Sequence, residues 1–202
     1  MSDYEFDAIV IGSGVSGGWA AKELTEKGMK VLMLDRGRMV EHSADYPYEG
    51  TGPWEQPYRG QTPPALTESD YYASRYGGAG QTAVKGFMNN DRLNPYAIKD
   101  GPEFRWVRPG IVGGKSITWG RVSLRFGPQD FEANGKDGHG NDWPIRYEDI
   151  APWYSYVEKY AGIAGSKEGL PHLPDGEFQP PHPMNVAEIW VKERLEKAMP
   201  SR

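Results

Sequence analysis

The sequence predicts an α/β fold that begins with a single βαβ unit. Two observations carry this prediction. The first 46 residues contain no proline and alternate apolar runs with a helical pattern, whereas all 17 prolines lie at or after Pro47. In addition, a glycine-rich turn joins the first apolar run to the helical stretch. With 202 residues, the chain can form one good-sized domain, or one domain and part of another.

The elements of the βαβ unit follow one another without interruption. The run DAIVIG from Asp7 is rich in β-branched residues, which is typical of a strand buried on both faces. The stretch GVSGGWAAKELTEKG has helical spacing, and KVLMLDRG supplies a second apolar strand. The turn between strand and helix has the pattern G-x-G-x-x-G, from Gly12 to Gly17. This arrangement predicts a dinucleotide-binding unit of the Rossmann type.

Each part of the motif has a physical role. Gly12 makes the tight turn, Gly14 lets the backbone approach a pyrophosphate, and Gly17 lets the helix pack close to the strand. The helix N-terminus offers N–H groups to phosphates, and Asp35, after the second strand, can accept hydrogen bonds from ribose hydroxyls. The ligand expected is therefore an adenosine dinucleotide. Its predicted contacts here are Gly12, Ser13, Gly14, Val15, Ser16, Gly17, Asp35 and Arg36.

The regular pattern stops after Gly37. Residues 41–105 are rich in tyrosine, proline and glycine, as in YPYEGTGPWEQPYRGQTPP and SDYYASRYGGAGQT. Disordered linkers are poor in aromatic residues, so we expect an irregular but packed insertion. A nicotinamide-binding domain would continue with further strand and helix units, and the pattern therefore favours a flavoprotein.

Composition excludes several function classes. The net charge is −5 with both signs interspersed, so no basic stripe is present for nucleic acid. Cysteine is absent, which excludes disulfides and thiolate metal sites within this chain. The sequence shows no signal-peptide pattern and no apolar run long enough to span a bilayer. We therefore expect a cytoplasmic location and no membrane span.

Residues 142–165 read as a strand or turn followed by a helix. Pro152 suits a first helical position and Gly162 suits the helix end. An aromatic stripe at helical spacing is either a core stripe or a substrate-side wall, and the spacing favours the core. Its members are Trp153, Tyr156, Val157 and Tyr160. A further amphipathic helix is predicted from about Ala187 to Met199.

The polar loop after residue 136 imitates a calcium loop. Potential ligands fall at positions 1, 3, 5 and 12 of such a loop, namely Asp137, His139, Asn141 and Glu148. Asp142 occupies the position where the turn requires glycine, however, so a solvated loop and no metal are expected. His172 and His182 lie among prolines and glycines, and we interpret them as loop residues rather than catalytic bases.

Four segments resemble, in this order, the amino-terminal part of the glucose–methanol–choline (GMC) family of FAD-dependent oxidoreductases. They are the glycine motif with LDRG, RPGIVGGKSITWGR, DWPIRYEDIAPWYSYVEKYAGIAG and GLPHLPDGEFQPPHPMN. The likeness covers nearly the whole chain and is greatest to bacterial sugar dehydrogenases, including the glucoside 3-dehydrogenase type, and to pyranose oxidases.

The resemblance implies that residues 112–121 contact the flavin. Gly113, Gly114, Lys115 and Ser116 would face the pyrophosphate and ribityl chain, and Thr118, Trp119 and Gly120 would face the ring edge. Arg121 would either offset phosphate charge or pair with a carboxylate. Pyranose oxidases have, at the position of Thr118, a histidine that bonds covalently to the flavin. Since threonine cannot form that linkage, the resemblance implies non-covalent FAD.

The resemblance also implies the domain organisation. It divides the chain into a βαβ unit (1–40), the insertion (41–105), a second FAD-contacting segment (106–145) and the start of an α+β substrate domain (146–202). We expect an amino-terminal portion that lacks the catalytic histidine pair and is inactive alone.

The activity implied is oxidation of a CH–OH group of a sugar or related alcohol, with hydride transfer to flavin N5. Implied partners are a small subunit and a cytochrome or quinone acceptor, and export to the periplasm with such a subunit stays open. The alternatives from the residues alone are an NAD(P)-dependent Rossmann oxidoreductase, a nucleotide-binding module or a non-enzymatic interaction module.

Overall fold

A computed structural model describes residues 5–67, 82–99, 101, 104 and 106–200. The chain divides into two compact units, Met1–Gly120 and Arg121–Arg202. Most of the tyrosine-rich stretch predicted as packed, residues 68–81, lies outside the described residues. The division into four segments predicted from the sequence stays a prediction.

The first unit opens with the predicted βαβ arrangement. Strand β1 spans Ala8–Ile11, helix α1 spans Val15–Glu26, and strand β2 spans Val31–Leu34. The two strands pair in parallel, with Ala8 opposite Val31 and Ile11 opposite Leu34. This parallel sheet confirms the α/β prediction, because a helix that crosses between adjacent parallel strands defines a βαβ unit.

Only one face of β1 is covered, which corrects the expectation of a strand buried on both faces. Val10 is buried and lies beneath α1, close to Gly17. Ile9 and Ile11 point to the opposite face, where they are 61% and 85% exposed. The reason is that no second helix of the described residues packs on that face of the two-stranded sheet.

The rest of the first unit is mostly irregular. It contains two short 3₁₀ helices, Pro53–Glu55 and Pro57–Gly60, and three single-turn helices, α2 (Pro64–Thr67), α3 (Thr82–Lys85) and α4 (Lys115–Thr118). Isolated bridges join Arg38 to Ile111 in parallel and Met88 to Pro109 in antiparallel. They place residues 109–112 beside the chain that leaves β2, and residues 87–89 beside residues 109–112. Phe87 and Ile111 form the buried part of this layer.

The second unit is helical, with α5 at Pro128–Asp137, α6 at Tyr147–Ala161 and α7 at Val186–Ala198. Gly162 ends α6 in the left-handed conformation, as predicted. The predicted start of α6 at Pro152 is wrong, because the helix begins five residues earlier. There Asp149 accepts a hydrogen bond from the backbone N–H of Arg146 and completes the first turn.

The aromatic stripe of α6 is not a core stripe in this unit. Trp153 is 66% exposed and Tyr160 is 60% exposed, and Tyr156 is also exposed. The helix instead buries Glu158, which pairs with Arg125. No helix in the described parts of the chain has both the length and the apolar character needed to cross a membrane.

Candidate cofactor-binding site

The glycine turn lies between β1 and α1 and leaves the helix N-terminus uncapped. Gly12 has φ +95°, a left-handed value that favours glycine, and its N–H donates to the carbonyl of Leu34 at 2.7 Å. Gly14 is the N-cap of α1 and provides no side-chain cap, and no acidic side chain lies in the first turn. The N-terminal N–H groups of α1 are therefore oriented as in an anion site.

Gly14 and Gly17 differ in the space around them. A Cβ on Gly17 would lie 1.9 Å from the carbonyl oxygen of Gly12, so only glycine permits the observed packing of α1 against the turn. A Cβ on Gly14 would meet nothing within 4 Å. The backbone at Gly14 therefore borders open space, as is required where a ligand approaches the main chain.

Asp35 is held directly beside this turn. Its Oδ2 accepts hydrogen bonds from the N–H of Ser13 at 2.8 Å and from the Ser13 hydroxyl at 2.5 Å, and its Oδ1 accepts from the N–H of Gly37 at 2.6 Å. The hydrogen bond from the Ser13 side chain, followed by those from the backbone, holds the pKa of Asp35 below its ordinary value. The carboxylate is thus ionised, and it is exposed at the carboxyl end of β2.

The second predicted segment meets the first one at Ser13. The N–H of Gly113 donates to the Ser13 hydroxyl oxygen at 2.7 Å, across 100 positions of the chain. A Cβ on Gly114 would lie 3.7 Å from the Cα of Gly14. Gly113 and Gly114 both have positive φ, and they bring the chain into α4 beside the turn. The structure therefore brings together two glycine-rich segments that the sequence assigned to one cofactor.

A cleft of about 440 Å³ opens at the carboxyl ends of β1 and β2. Four predicted contacts line it, Gly12, Asp35, Arg36 and Gly114. Several lining residues belong to no sequence motif and were not predicted. Asn89, Pro109, Gly110 and Ile111 reach the cleft through the bridges of segments 87–89 and 109–112, and Asn94 follows the first of these segments in the chain.

The remaining predicted contacts lie away from the cleft lining. Val15 and Ser16 are exposed in the first turn of α1. Helix α4 contains Lys115, Ser116 and Thr118. Trp119 follows it and donates its N–H to the Lys115 carbonyl, and Gly120 comes next. Arg121 belongs to the second unit, and among the described residues it has no ion-pair partner.

The histidines and acidic residues form no evident metal centre. Within residues 5–67, 82–99, 101, 104 and 106–200, no group of three or more metal-ligating side chains comes together. In the loop that imitates a calcium site, Asp142 accepts a hydrogen bond from the N–H of Gly135 and contacts Arg146. His172 and His182 have no hydrogen-bond partner for their rings among the described residues.

No family model matches the chain. Three curated relatives match most of it. The fructose dehydrogenase large subunit of Gluconobacter japonicus is 28% identical and covers 93% of this chain. Paromamine 6'-oxidase of Streptomyces fradiae is 28% identical over 92%, and glucose dehydrogenase [FAD, quinone] of Drosophila melanogaster is 27% identical over 96%. The fructose dehydrogenase large subunit and paromamine 6'-oxidase are GMC oxidoreductases. The chain is a homologue of the GMC oxidoreductases.

The names of these GMC relatives are those of dehydrogenases and oxidases that act on sugars and other alcohols. The chain spans 32%, 27% and 27% of the three relatives' own lengths. Homology therefore relates this chain to about a quarter to a third of a GMC enzyme.

Proposed function

We propose that the chain supplies the FAD-binding part of a GMC oxidoreductase that oxidises a CH–OH group of a sugar or related alcohol. The observation that carries this proposal is the hydrogen bond between Gly113 and Ser13. It places the glycine turn at the N-terminus of α1 against residues 112–114, beside the cleft of Asp35. The curated relatives support the reaction class, since their names are those of alcohol and sugar oxidoreductases.

The residues present fit FAD on three counts. The uncapped N-terminus of α1 suits a pyrophosphate, the open space before Gly14 admits one, and the ionised carboxylate of Asp35 can accept a hydrogen bond from a ribose hydroxyl. Lys115 would add a positive charge at the start of α4. When bound, FAD supplies the acceptor for the hydride of the CH–OH group. The protein's task in this part is therefore to hold the cofactor and fix its orientation.

The base for the hydroxyl proton is proposed to come from another part of the whole protein. General-base catalysis needs a side chain whose orientation and pKa are set by neighbours. His172 and His182 have no such partner among the described residues, and His42, which contacts Glu49, is exposed and does not line the cleft. We also propose a small partner subunit and a quinone or cytochrome as the acceptor of electrons from FAD. The names of two relatives, "large subunit" and "[FAD, quinone]", support the partner subunit and the quinone.

Substitution of Gly14 tests the proposal directly. A valine Cβ there meets no protein atom within 4 Å, and φ −65° is an ordinary value, so we expect Gly14→Val to fold. Its side chain fills the space of the proposed pyrophosphate, so we expect the purified whole protein to lose its visible flavin absorbance. Gly18→Val is the matched control, because Gly18 also has open space around it but lies one turn further along α1.

Two outcomes would contradict the proposal. Flavin retention by Gly14→Val equal to that of the Gly18→Val control would show that the turn does not hold the cofactor. Colourless wild-type protein that binds NAD(P)H would favour a nicotinamide enzyme with the same βαβ unit.

A further inference from the structure

Asn89 is the most buried polar residue of the cleft beside Asp35. It is only 6% exposed, and it is one of the residues that line the cleft. Its own backbone N–H is already used, donating to the Arg108 carbonyl at 2.8 Å. No hydrogen bond joins its side-chain amide to another described residue, and the amide atoms are not fully enclosed but keep some access to solvent.

The segment around Asn89 holds the residue firmly in place. Gly110 packs against the backbone of Asn89, with a Cβ position only 3.3 Å from the Asn89 Cα, and Met88 bridges to Pro109. The backbone that carries the amide is therefore fixed at the cleft.

The chemistry of the cleft points to one part of a dinucleotide. In a βαβ unit the acidic residue after the second strand lies at the ribose of adenosine, so the Asp35 end of the cleft is the adenosine end. A carboxylate only accepts hydrogen bonds, whereas an amide both donates and accepts. The cleft, at about 440 Å³, has the size of a small-ligand pocket, which suits part of a dinucleotide better than the whole.

We propose that Asn89 is a specificity-determining residue whose side-chain amide hydrogen-bonds the polar groups of the adenosine half of the bound dinucleotide. This inference rests on the proposed FAD-binding function. It assigns a role to a residue outside both glycine segments. It also explains why an irregular segment after the βαβ unit bridges back to the chain beside β2.

The test compares two flavins that differ only in the adenosine half. Apoprotein of the whole enzyme is titrated with FAD and with FMN, which lacks the adenosine monophosphate half, and binding is followed by flavin fluorescence. We expect Asn89→Leu, which keeps the branched shape with a somewhat larger side chain and removes the amide, to weaken FAD binding by roughly 10- to 100-fold, as for one lost hydrogen bond. FMN affinity should stay the same. Asn141→Leu, at an exposed asparagine of the second unit, is the control.

Asn89→Asp provides a second variant of nearly the same shape, which decides the question if Asn89→Leu does not fold. It loses the donor and adds a charge to the cleft that Asp35 also lines, so it should also weaken FAD binding and leave FMN binding unchanged. Equal FAD affinity of either folded variant and wild type would overturn the inference, as would equal losses for FAD and FMN. Wild-type protein that binds neither flavin would instead refute the proposed function itself.

Discussion

At the scale of single residues, Gly17 and Gly18 are neighbours in α1 with opposite surroundings. A Cβ at Gly17 would lie 1.9 Å from the Gly12 carbonyl oxygen, whereas one at Gly18 would meet nothing within 4 Å. We expect Gly17→Ala to lower the free energy of unfolding by about 1–3 kcal/mol, since the turn must move. Gly18→Ala should raise it by roughly 0.5–1 kcal/mol, the usual gain in a helix interior. Urea unfolding of both variants measures this. Equal effects would show that Gly17 is not a packing residue.

Ser13 offers a second test at this scale, because its hydroxyl donates to Asp35 and accepts from Gly113. In Ser13→Ala we expect the pKa of Asp35 to rise towards its ordinary value. Since the folded-state pKa of Asp35 is lowered, the carboxylate stabilises the fold above its unfolded pKa, and this contribution is lost as the pH falls through the folded pKa. The free energy of unfolding of the variant should therefore depend less on pH in the acid range than that of the wild type.

An NMR titration of the Asp35 carboxyl measures that pKa, and urea unfolding across the acid range measures the pH dependence. Ser16→Ala is the control, since Ser16 is exposed in the first turn of α1. An unchanged Asp35 pKa in Ser13→Ala would contradict the assignment of the lowered value to this hydroxyl.

Residues of the site differ in how far the sequence predicts them. Gly12 and Asp35 could be placed because a βαβ motif fixes their spacing and their surroundings locally. Asn89 could not, because it reaches the cleft through a bridge between Met88 and Pro109, and nothing local specifies that pairing. The hydrogen bond between Ser13 and Gly113 is equally long-range, so the proximity of the two glycine segments was an expectation from resemblance alone.

At the scale of elements, α6 is anchored by a charged pair and not by its aromatic residues. Arg125 donates to both carboxylate oxygens of Glu158, at 2.8 and 2.6 Å, and also to Tyr147 and Ser155. The N–H of Glu177 donates to the same carboxylate at 2.7 Å. The Arg125 guanidinium holds the pKa of Glu158 below its ordinary value and so keeps the pair ionised. The pair joins α6 to the segments on either side of it in the chain.

Removal of one charge of this pair should destabilise the second unit strongly. We expect Glu158→Gln to lower the free energy of unfolding by about 3–5 kcal/mol, because Arg125 would keep a buried charge without its partner. On α7, Glu196 Oε1 lies 3.8 Å from Nζ of Lys192, and both side chains are exposed. Glu196→Gln should therefore change the free energy of unfolding by less than about 0.5 kcal/mol. Circular dichroism during urea unfolding checks both values. A small effect at Glu158 would mean that the unit relaxes around Arg125.

The start of α6 shows why element boundaries were harder to predict than elements. Pro152 is a common first helical residue, and the aromatic spacing that follows it fits a helix beginning there. The structure starts the helix at Tyr147 because the Asp149 side chain caps the N–H of Arg146. The same spacing predicted a core stripe, yet periodicity identifies the face of a helix without saying what packs against it.

At the scale of the whole molecule, large apolar side chains stand on the surface of both units. Ile11 is 85% exposed in the first unit, and Val186 is 84% exposed on α7 in the second. The sequence could predict α7 almost to the residue, because Asn185 caps it through the N–H of Glu188 and apolar spacing follows. It could not predict that α7 would be exposed along its whole length, since burial depends on which other surfaces a helix meets.

The linkage of the flavin is a property of the whole protein, and it gives the last prediction. A covalent flavin requires a nucleophilic side chain, whereas Thr118, the last residue of α4, has only a weakly nucleophilic hydroxyl. We expect the purified whole protein to release its flavin completely on denaturation in guanidinium chloride. After ultrafiltration the yellow colour should pass the membrane, and chromatography should identify it as FAD. Thr118→Val should release it in the same way. Yellow colour that stays on the denatured wild-type chain would contradict the non-covalent proposal, and a peptide map would then locate the attached residue.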